Sequence, residues 1–196
     1  MNSPGNCLDI AGDGPFWFFA YGSLMWDPPF RAAETAPARL YGWHRAFCVS
    51  SRNYRGTPEY PGLTLGLDRG GSCTGVALRI DEAERATAIR EIEAREMTND
   101  PIYVCRPVRL KLGDRSVDGY TLVVNRAERI YAGKLPFEEA AGRIATAEGK
   151  RGPNIDYLAN TVAHLDEMGI PESALHALLR RAGEIRQGMA KPAPRR

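Results

Sequence analysis

An unbroken run of four large apolar residues, Phe16-Trp17-Phe18-Phe19, stands just before the segment Tyr21-Gly22-Ser23-Leu24. Such a run predicts a strand that is buried on both faces. The Gly-Ser step ends the strand and lets backbone N–H groups point at a bound carboxylate or at an oxyanion. An ordinary strand-to-loop corner has the same composition, so this segment alone leaves both interpretations open.

The length and charge of the chain restrict its class. A chain of 196 residues is long enough to bury a substantial core, and we expect a single domain over residues 1–196. The formal net charge is +2, from 26 basic and 24 acidic side chains, which argues against a nucleic-acid partner. The first residues include Asp9 and Asp13 and have no basic segment, and no apolar run could cross a bilayer. We therefore predict a cytoplasmic protein with no membrane partner.

The order of predicted elements indicates an α+β fold. Strands are predicted at residues 16–21, 40–49, 63–67, 73–80, 103–112 and 117–124, and helices at 81–97, 136–147, 154–168 and 171–187. Six strands with glycine-marked bends, including a predicted turn at Gly70-Gly71, are compatible with a small closed or nearly closed barrel. Residues 1–14 are predicted to form a loose leader and residues 189–196 a flexible tail.

A long loop separates the second predicted strand from the third. Residues 50–62 include two prolines and two glycines, and loops of this length are more often lids or binding loops than spacers. We expect shortening of this loop to change substrate choice or KM more than stability.

The first predicted helix places an acid on its apolar face. At about 100° per residue, Glu96 projects between Ile89 and Ile92. Asp81 and Glu84 stand at its start in the spacing of a capping box. A buried carboxylate costs free energy unless it is paired or protonated. Glu96 is therefore ion-paired with an arginine, or lies beyond the frayed end of the helix, or is a general base whose pKa is raised by an apolar pocket.

Other catalytic patterns are not supported. His44, His164 and His176 form no metal-binding motif, and none of the four cysteines lies within metal-ligand spacing of another. Ser23 is not part of a Gly-x-Ser-x-Gly elbow. These observations exclude a recognisable zinc site and an α/β-hydrolase nucleophile.

Six segments resemble, in the same order, the γ-glutamylcyclotransferases of the ChaC-like family. They are FAYGSLMW at 19–26, GWHRAFC at 42–48, YRGTPEYPG at 54–62, GVA at 75–77, REM at 95–97 and GPNIDYL at 152–158. The resemblance covers about residues 16 to 168. Each segment alone is weak, whereas six in order are highly specific.

The resemblance implies a fold, a reaction and a set of site residues. The expected fold is a γ-glutamylcyclotransferase-like mixed β-barrel with helices outside it and a helical C-terminal part. The expected reaction releases 5-oxoproline from a γ-glutamyl amide, usually glutathione, without a cofactor or a metal. The family's catalytic acid falls on Glu96 and its substrate-binding loop on Tyr21, Gly22, Ser23 and Leu24, with Tyr157 and Arg55 as further candidate substrate contacts.

Two alternatives remain open at this level. The substrate could be another γ-glutamyl amine or peptide, because side chains in the loops set the leaving-group contacts. A non-catalytic regulator related to cation transport is an interpretation of a different class, although such a protein would be free to lose Glu96. The sequence does not indicate the oligomeric state.

Overall fold

The structure, a computed structural model, describes Leu8, residues 10–97 and residues 102–190. The described residues form two compact units. The first consists of residues up to Ala46 together with Gly66–Tyr131, and the second of Phe47–Leu65 together with residues from Ala132 onward. The expectation of a single domain over residues 1–196 stays a prediction.

Five strands form a closed barrel in the order β1-β3-β2-β4-β5. Their bounds are β1 Phe16–Ala20, β2 Glu34–Ser51, β3 Gly62–Ile80, β4 Tyr103–Leu112 and β5 Arg115–Val124. β1 pairs antiparallel with β3, from Phe16 opposite Ile80 to Ala20 opposite Val76, and parallel with β5 at Phe18 and Tyr120. This mixed barrel confirms the α+β barrel predicted from the sequence.

Large side chains from the strands fill the core of the first unit. Phe18 and Phe19 of the aromatic run are almost fully buried. Phe19 packs in one cluster with Ala38, Leu40, Leu67, Cys73, Ala77, Leu110, Leu112 and Val123. The unbroken apolar run therefore marks a strand enclosed by the barrel, and its burial fixes where the following turn begins.

One predicted turn lies inside a strand. The predicted strands 63–67 and 73–80 are parts of one strand, β3, which runs through Gly70 and Gly71. These glycines have φ angles of 104° and 65°, a region that side-chain-bearing residues rarely adopt. The predicted turn between two strands is therefore wrong, because the strand continues through both glycines with their positive φ angles.

Helix α1, Glu82–Glu96, follows β3 directly. Asp81 is the N-cap residue, but its side chain makes no capping hydrogen bond and instead pairs with Arg79 Nη1 at 2.8 Å. The predicted capping box is therefore wrong. Met97 is the C-cap, in agreement with the predicted end of this helix at residue 97.

Part of the predicted leader is attached to the first unit. Of residues 1–14, the structure describes Leu8 and residues 10–14, which form no helix or strand. Leu8 and Ile10 are buried, the Leu8 amide donates to Glu93 Oε1 at 2.7 Å, and Arg85 donates to the carbonyls of Ile10 and Gly14 at 2.7 and 2.8 Å. The other leader residues lie outside the described part of the chain.

The second unit contains three helices and a short hairpin. The helices are α2 Phe137–Thr146, α3 Asn154–Glu167 and α4 Ser173–Ala190, and the hairpin strands are β6 Glu148–Gly149 and β7 Gly152–Pro153. Each helix starts or ends within three residues of its predicted bounds. Residues 189 and 190 of the predicted tail belong to α4, and residues 191–196 lie outside the described residues.

No helix within the described residues is both long enough and apolar enough to span a membrane. The cytoplasmic location stays a prediction.

Candidate active site

The turn that follows β1 is a short 3-10 helix, Ser23–Met25. The amide of Met25 donates to Gly22 O at 2.9 Å, and the amides of Trp26 and Asp27 donate to Ser23 O at 3.2 and 2.9 Å. The first amides of a helical turn have no carbonyl to bind within the turn itself. The geometry therefore suits the role predicted for the Gly22, Ser23 and Leu24 amides, which remains a prediction.

A buried arginine holds the start of this turn. Arg45 of β2 is only 7% exposed, and its Nε donates to Tyr21 O at 2.6 Å. Its Nη2 donates to Thr74 O at 2.8 Å and lies 3.9 Å from Met25 Sδ. A Cβ on the adjacent Gly75 would overlap the carbonyl oxygen of Ala20, so β3 approaches the end of β1 closely at this point. Arg45 therefore cross-links the end of β1 to β3 and places a cation beneath the turn.

We expect Arg45→Met to destabilise the protein by about 2–5 kcal/mol, because two carbonyl groups lose a charged donor in a buried setting. Chemical denaturation measures the loss in the free energy of unfolding. Arg109→Met is the matched control, since Arg109 is also a strand arginine but its side chain is 62% exposed in its pair with Asp118. This control should stay within about 0.5 kcal/mol of wild type. Equal stability of the two variants would contradict the cross-linking role of Arg45.

Glu96 lies at the C-terminal end of α1 on its buried face. Ala88 and Ile92 are fully buried two turns and one turn earlier, respectively, and Glu96 continues this i, i+4 series. Its side chain is 23% exposed. Burial raises the pKa of the Glu96 carboxyl above its ordinary value, although the neighbouring Arg95 guanidinium acts in the opposite direction. The acid therefore has both an arginine neighbour and a raised pKa, and its role as a general base remains a prediction.

Arg95 contacts both the acid and the turn. Its Nε lies 3.4 Å from Glu96 Oε1, and its Nη1 donates to Asp27 O at 2.6 Å and pairs with Asp27 Oδ2 at 3.2 Å. The Asp27 amide in turn bonds Ser23 O. One guanidinium therefore connects the predicted general base to the predicted anion-binding turn within the first unit.

The two remaining candidate residues, Arg55 and Tyr157, contact each other in the second unit. The Arg55 guanidinium lies 5.4 Å from the centre of the Tyr157 ring, and this ring packs on Phe47 at 5.6 Å. Arg55 Nη1 donates to Arg151 O at 2.6 Å and to Pro153 O at 3.3 Å. A substrate carboxylate would thus have to be bound by the other nitrogens of this guanidinium. Substrate contact by either residue remains a prediction.

The long loop is firmly attached to the hairpin that precedes α3. The amides of Lys150 and Arg151 donate to the carbonyls of Asn53 and Tyr54, both at 2.9 Å. The fully buried Asn154 side chain accepts from the Leu63 amide and donates to the Leu63 carbonyl, both at 2.7 Å. A lid that opens would have to break this network. The expectation that shortening the loop acts on KM more than on stability is therefore revised, and we now expect a loss of stability.

Sequence reasoning missed three residues that build these arrangements: Arg45, Arg95 and Asn154. All three lie within the segments that resemble the family. Their hydrogen-bond partners, however, are remote in sequence: Tyr21, Asp27 and Leu63 lie 24, 68 and 91 residues from Arg45, Arg95 and Asn154, respectively. A sequence pattern identifies an arginine without showing which carbonyl it will bind. Among the described residues, no group of three or more His, Cys, Asp and Glu side chains could hold a metal ion.

Comparison with known proteins identifies a family and relatives that agree with the resemblance seen in the sequence. The chain matches the family described as ChaC-like protein over residues 16–184. It is 35% identical over 168 residues to the glutathione-specific gamma-glutamylcyclotransferase of Escherichia coli K12, covering 85% of this chain and 72% of the relative. It is 30% identical over 210 residues to the protein of that name in Schizosaccharomyces pombe, covering 93% of this chain and 98% of the relative.

The fold is similar to that of a solved γ-glutamyl cyclotransferase specific to glutathione from yeast. The TM-score is 0.78 at 21% sequence identity, and the match covers 91% of this chain and 100% of the other. At this identity the likeness concerns the fold alone, and it confirms the predicted γ-glutamylcyclotransferase-like barrel.

Proposed function

Because the chain belongs to the ChaC-like family, we propose that it is a γ-glutamylcyclotransferase that cleaves glutathione to 5-oxoproline and cysteinylglycine. The observation that carries the proposal is a half-buried glutamate with a raised pKa, Glu96, linked through Arg95 to the Ser23 turn. The names of the relatives in Escherichia coli and Schizosaccharomyces pombe favour glutathione as the substrate.

The chemistry needs no covalent enzyme intermediate. The α-amine nitrogen of the γ-glutamyl group attacks its own γ-carbonyl carbon and closes a five-membered lactam. The amide bond to the cysteine nitrogen then breaks, so the two products together contain all the atoms of glutathione. Because the nucleophile is tethered to the carbonyl, holding it in an attack geometry supplies much of the rate enhancement.

We assign both proton transfers to Glu96. The carboxylate accepts a proton from the α-ammonium group and later donates it to the departing amine. A carboxyl group with an ordinary pKa is a weak base at neutral pH, and burial brings the pKa closer to the working pH. The raised pKa of Glu96 therefore suits a group that must both accept and donate a proton.

The backbone amides of Gly22, Ser23 and Leu24 would bind either the α-carboxylate of the substrate or the oxyanion of the tetrahedral intermediate. Arg45 supports this assignment, since its buried charge lies beneath the turn and favours an anion there. Tyr21 would line the pocket. Tyr157 and Arg55 are retained as candidate substrate contacts, with Arg55 for the glycyl carboxylate of glutathione.

Incubation of the purified protein with a panel of γ-glutamyl compounds tests the proposal. We expect 5-oxoproline to appear from glutathione at a higher kcat/KM than from γ-glutamylamines or other γ-glutamyl dipeptides. The measurement is quantification of 5-oxoproline and of the released amine, with Glu96→Gln as the blank. A higher kcat/KM on another member of the panel would replace glutathione as the substrate. Absence of 5-oxoproline from every member would contradict the enzymatic function and favour the regulator.

A further inference from the structure

Arg95 contacts both Glu96 and Asp27, whose amide bonds the Ser23 carbonyl of the turn. Its bond to Asp27 goes to a main-chain oxygen at 2.6 Å, which fixes backbone rather than a mobile side chain. The Asp27 carboxylate is 74% exposed, so the ion pair alone would contribute little. The main-chain bond is thus the stronger part of this contact.

A short series of polar contacts connects Glu96 to the Ser23 turn through the planar guanidinium of Arg95. Glu96 Oε1 faces Arg95 Nε, the same planar guanidinium reaches Asp27 O through Nη1, and the Asp27 amide closes on Ser23 O at 2.9 Å. An arginine presents its donors in a rigid fork, whereas a lysine presents a single point charge on a flexible stem. The fork therefore transmits the position of α1 to the turn.

We infer that Arg95 is a positioning residue that sets the Glu96 carboxylate against the Ser23 turn. The expected effect on the reaction rests on the proposed function, whereas the positioning of Glu96 relative to the turn rests on the contacts alone. In the reaction, the proton acceptor and the amides that bind the substrate must keep a fixed separation. A misplacement of about 1 Å costs a reaction of this kind about 10²-fold in rate.

The charge of Arg95 has a second consequence. Among the described residues, the charged neighbour that acts on the Glu96 carboxyl is Arg95 on its own helix. Asp27 pairs with Arg95, and Glu93 one turn earlier accepts the Leu8 amide. Removing Arg95 takes away the cation that lowers the pKa of Glu96, and this favours the protonated acid.

The test compares Arg95→Met, Arg95→Lys and, as the matched control, Arg90→Met, which removes an exposed arginine from the same helix. We expect Arg95→Met to lower kcat/KM by about 10²-fold and to move the acidic limb of its pH profile to higher pH. Arg95→Lys keeps the charge but not the fork, so it should lower kcat/KM while the acidic limb stays near that of wild type. Arg90→Met should behave as wild type.

Hydrogen exchange of the intact protein supplies a readout that does not depend on activity. The amides of Met25, Trp26 and Asp27 should exchange faster in both Arg95 variants and at the wild-type rate in Arg90→Met. If the wild type forms no 5-oxoproline from any substrate, the proposed function fails while faster exchange still supports the positioning role. Unchanged exchange in both Arg95 variants, or an unmoved acidic limb in Arg95→Met of an active enzyme, overturns it. If Arg95→Met fails to fold, the amide exchange rates and the kcat/KM of Arg95→Lys test the inference instead.

Discussion

Glu96→Gln should lower 5-oxoproline formation from glutathione by about 10²–10⁴-fold, the loss that follows removal of a general acid or base. The glutamine side chain keeps the size of the glutamate and can still lie beside Ile92, but it can neither accept the α-ammonium proton nor donate one to the departing amine. The loss should appear mainly in kcat, because the substrate contacts predicted for the turn are unchanged. Steady-state kinetics with direct detection of 5-oxoproline measures it.

The same variant should not lose stability at neutral pH. Burial raises the pKa of Glu96 in the folded state, so the folded protein holds this proton more tightly than the unfolded chain does. The stability that this group contributes is present below its unfolded pKa and is lost as the pH rises through the folded pKa. At neutral pH the buried carboxylate is therefore a cost that glutamine removes, and Tm should stay level or rise.

Glu82→Gln is the matched control, since Glu82 is exposed at the other end of α1. It should retain wild-type turnover. Substantial 5-oxoproline formation by folded Glu96→Gln would remove Glu96 from the mechanism, whereas a large fall in its Tm would show that the carboxylate is structural.

Gly62→Ala should strongly destabilise the second unit, with a loss of about 3 kcal/mol or more in the free energy of unfolding. A Cβ at this position would overlap Arg55 O and lie 2.7 Å from Asn154 Oδ1. Neither atom can retreat easily, because Arg55 O is backbone and the Asn154 side chain is held by two hydrogen bonds to Leu63. Chemical denaturation measures the loss in the free energy of unfolding. A Gly62→Ala variant that is already unfolded at room temperature would also support the prediction.

Asn154→Ala tests the same contact by removing the side chain that lies beside Gly62. It leaves the amide and the carbonyl of Leu63 buried without these partners, which costs about 1–3 kcal/mol for each group. Gly142→Ala is the opposite control within the same unit, because Gly142 lies inside α2 and a Cβ added there would point into open space. Alanine should stabilise that helix by about 1 kcal/mol. Tolerance of alanine at position 62 within 1 kcal/mol of wild type would contradict the close approach of Gly62 to Arg55 and Asn154.

Local patterns in the sequence were sufficient to predict the strands and the helix nearest the candidate site. The apolar run at 16–19 predicted β1 within one residue, and the span 103–112 matched β4. The 3.6-residue period placed Glu96 on the inward face of α1, where it is found half-buried beyond Ala88 and Ile92. These features depend on neighbouring residues, which is why a single sequence reveals them.

The capping box at Asp81 and the turn at Gly70-Gly71 were wrong for the converse reason. Asp81 has the right side chain in the right place, but Arg79 competes for it. The glycine pair does bend the backbone, yet neighbouring strands carry β3 through the bend. Local preference is worth about 1 kcal/mol or less per residue, and pairing with distant segments overrides it.

By itself, the sequence determined that the strand after residue 15 ends in a Gly-Ser turn and that an acid faces inward on the following helix. The tertiary structure decided what holds those two features in place. Arg45, Arg95 and Asn154 act through carbonyl and amide groups that are remote in sequence. Every residue offers the same backbone acceptor, so only the folded chain selects which one a long side chain will bind.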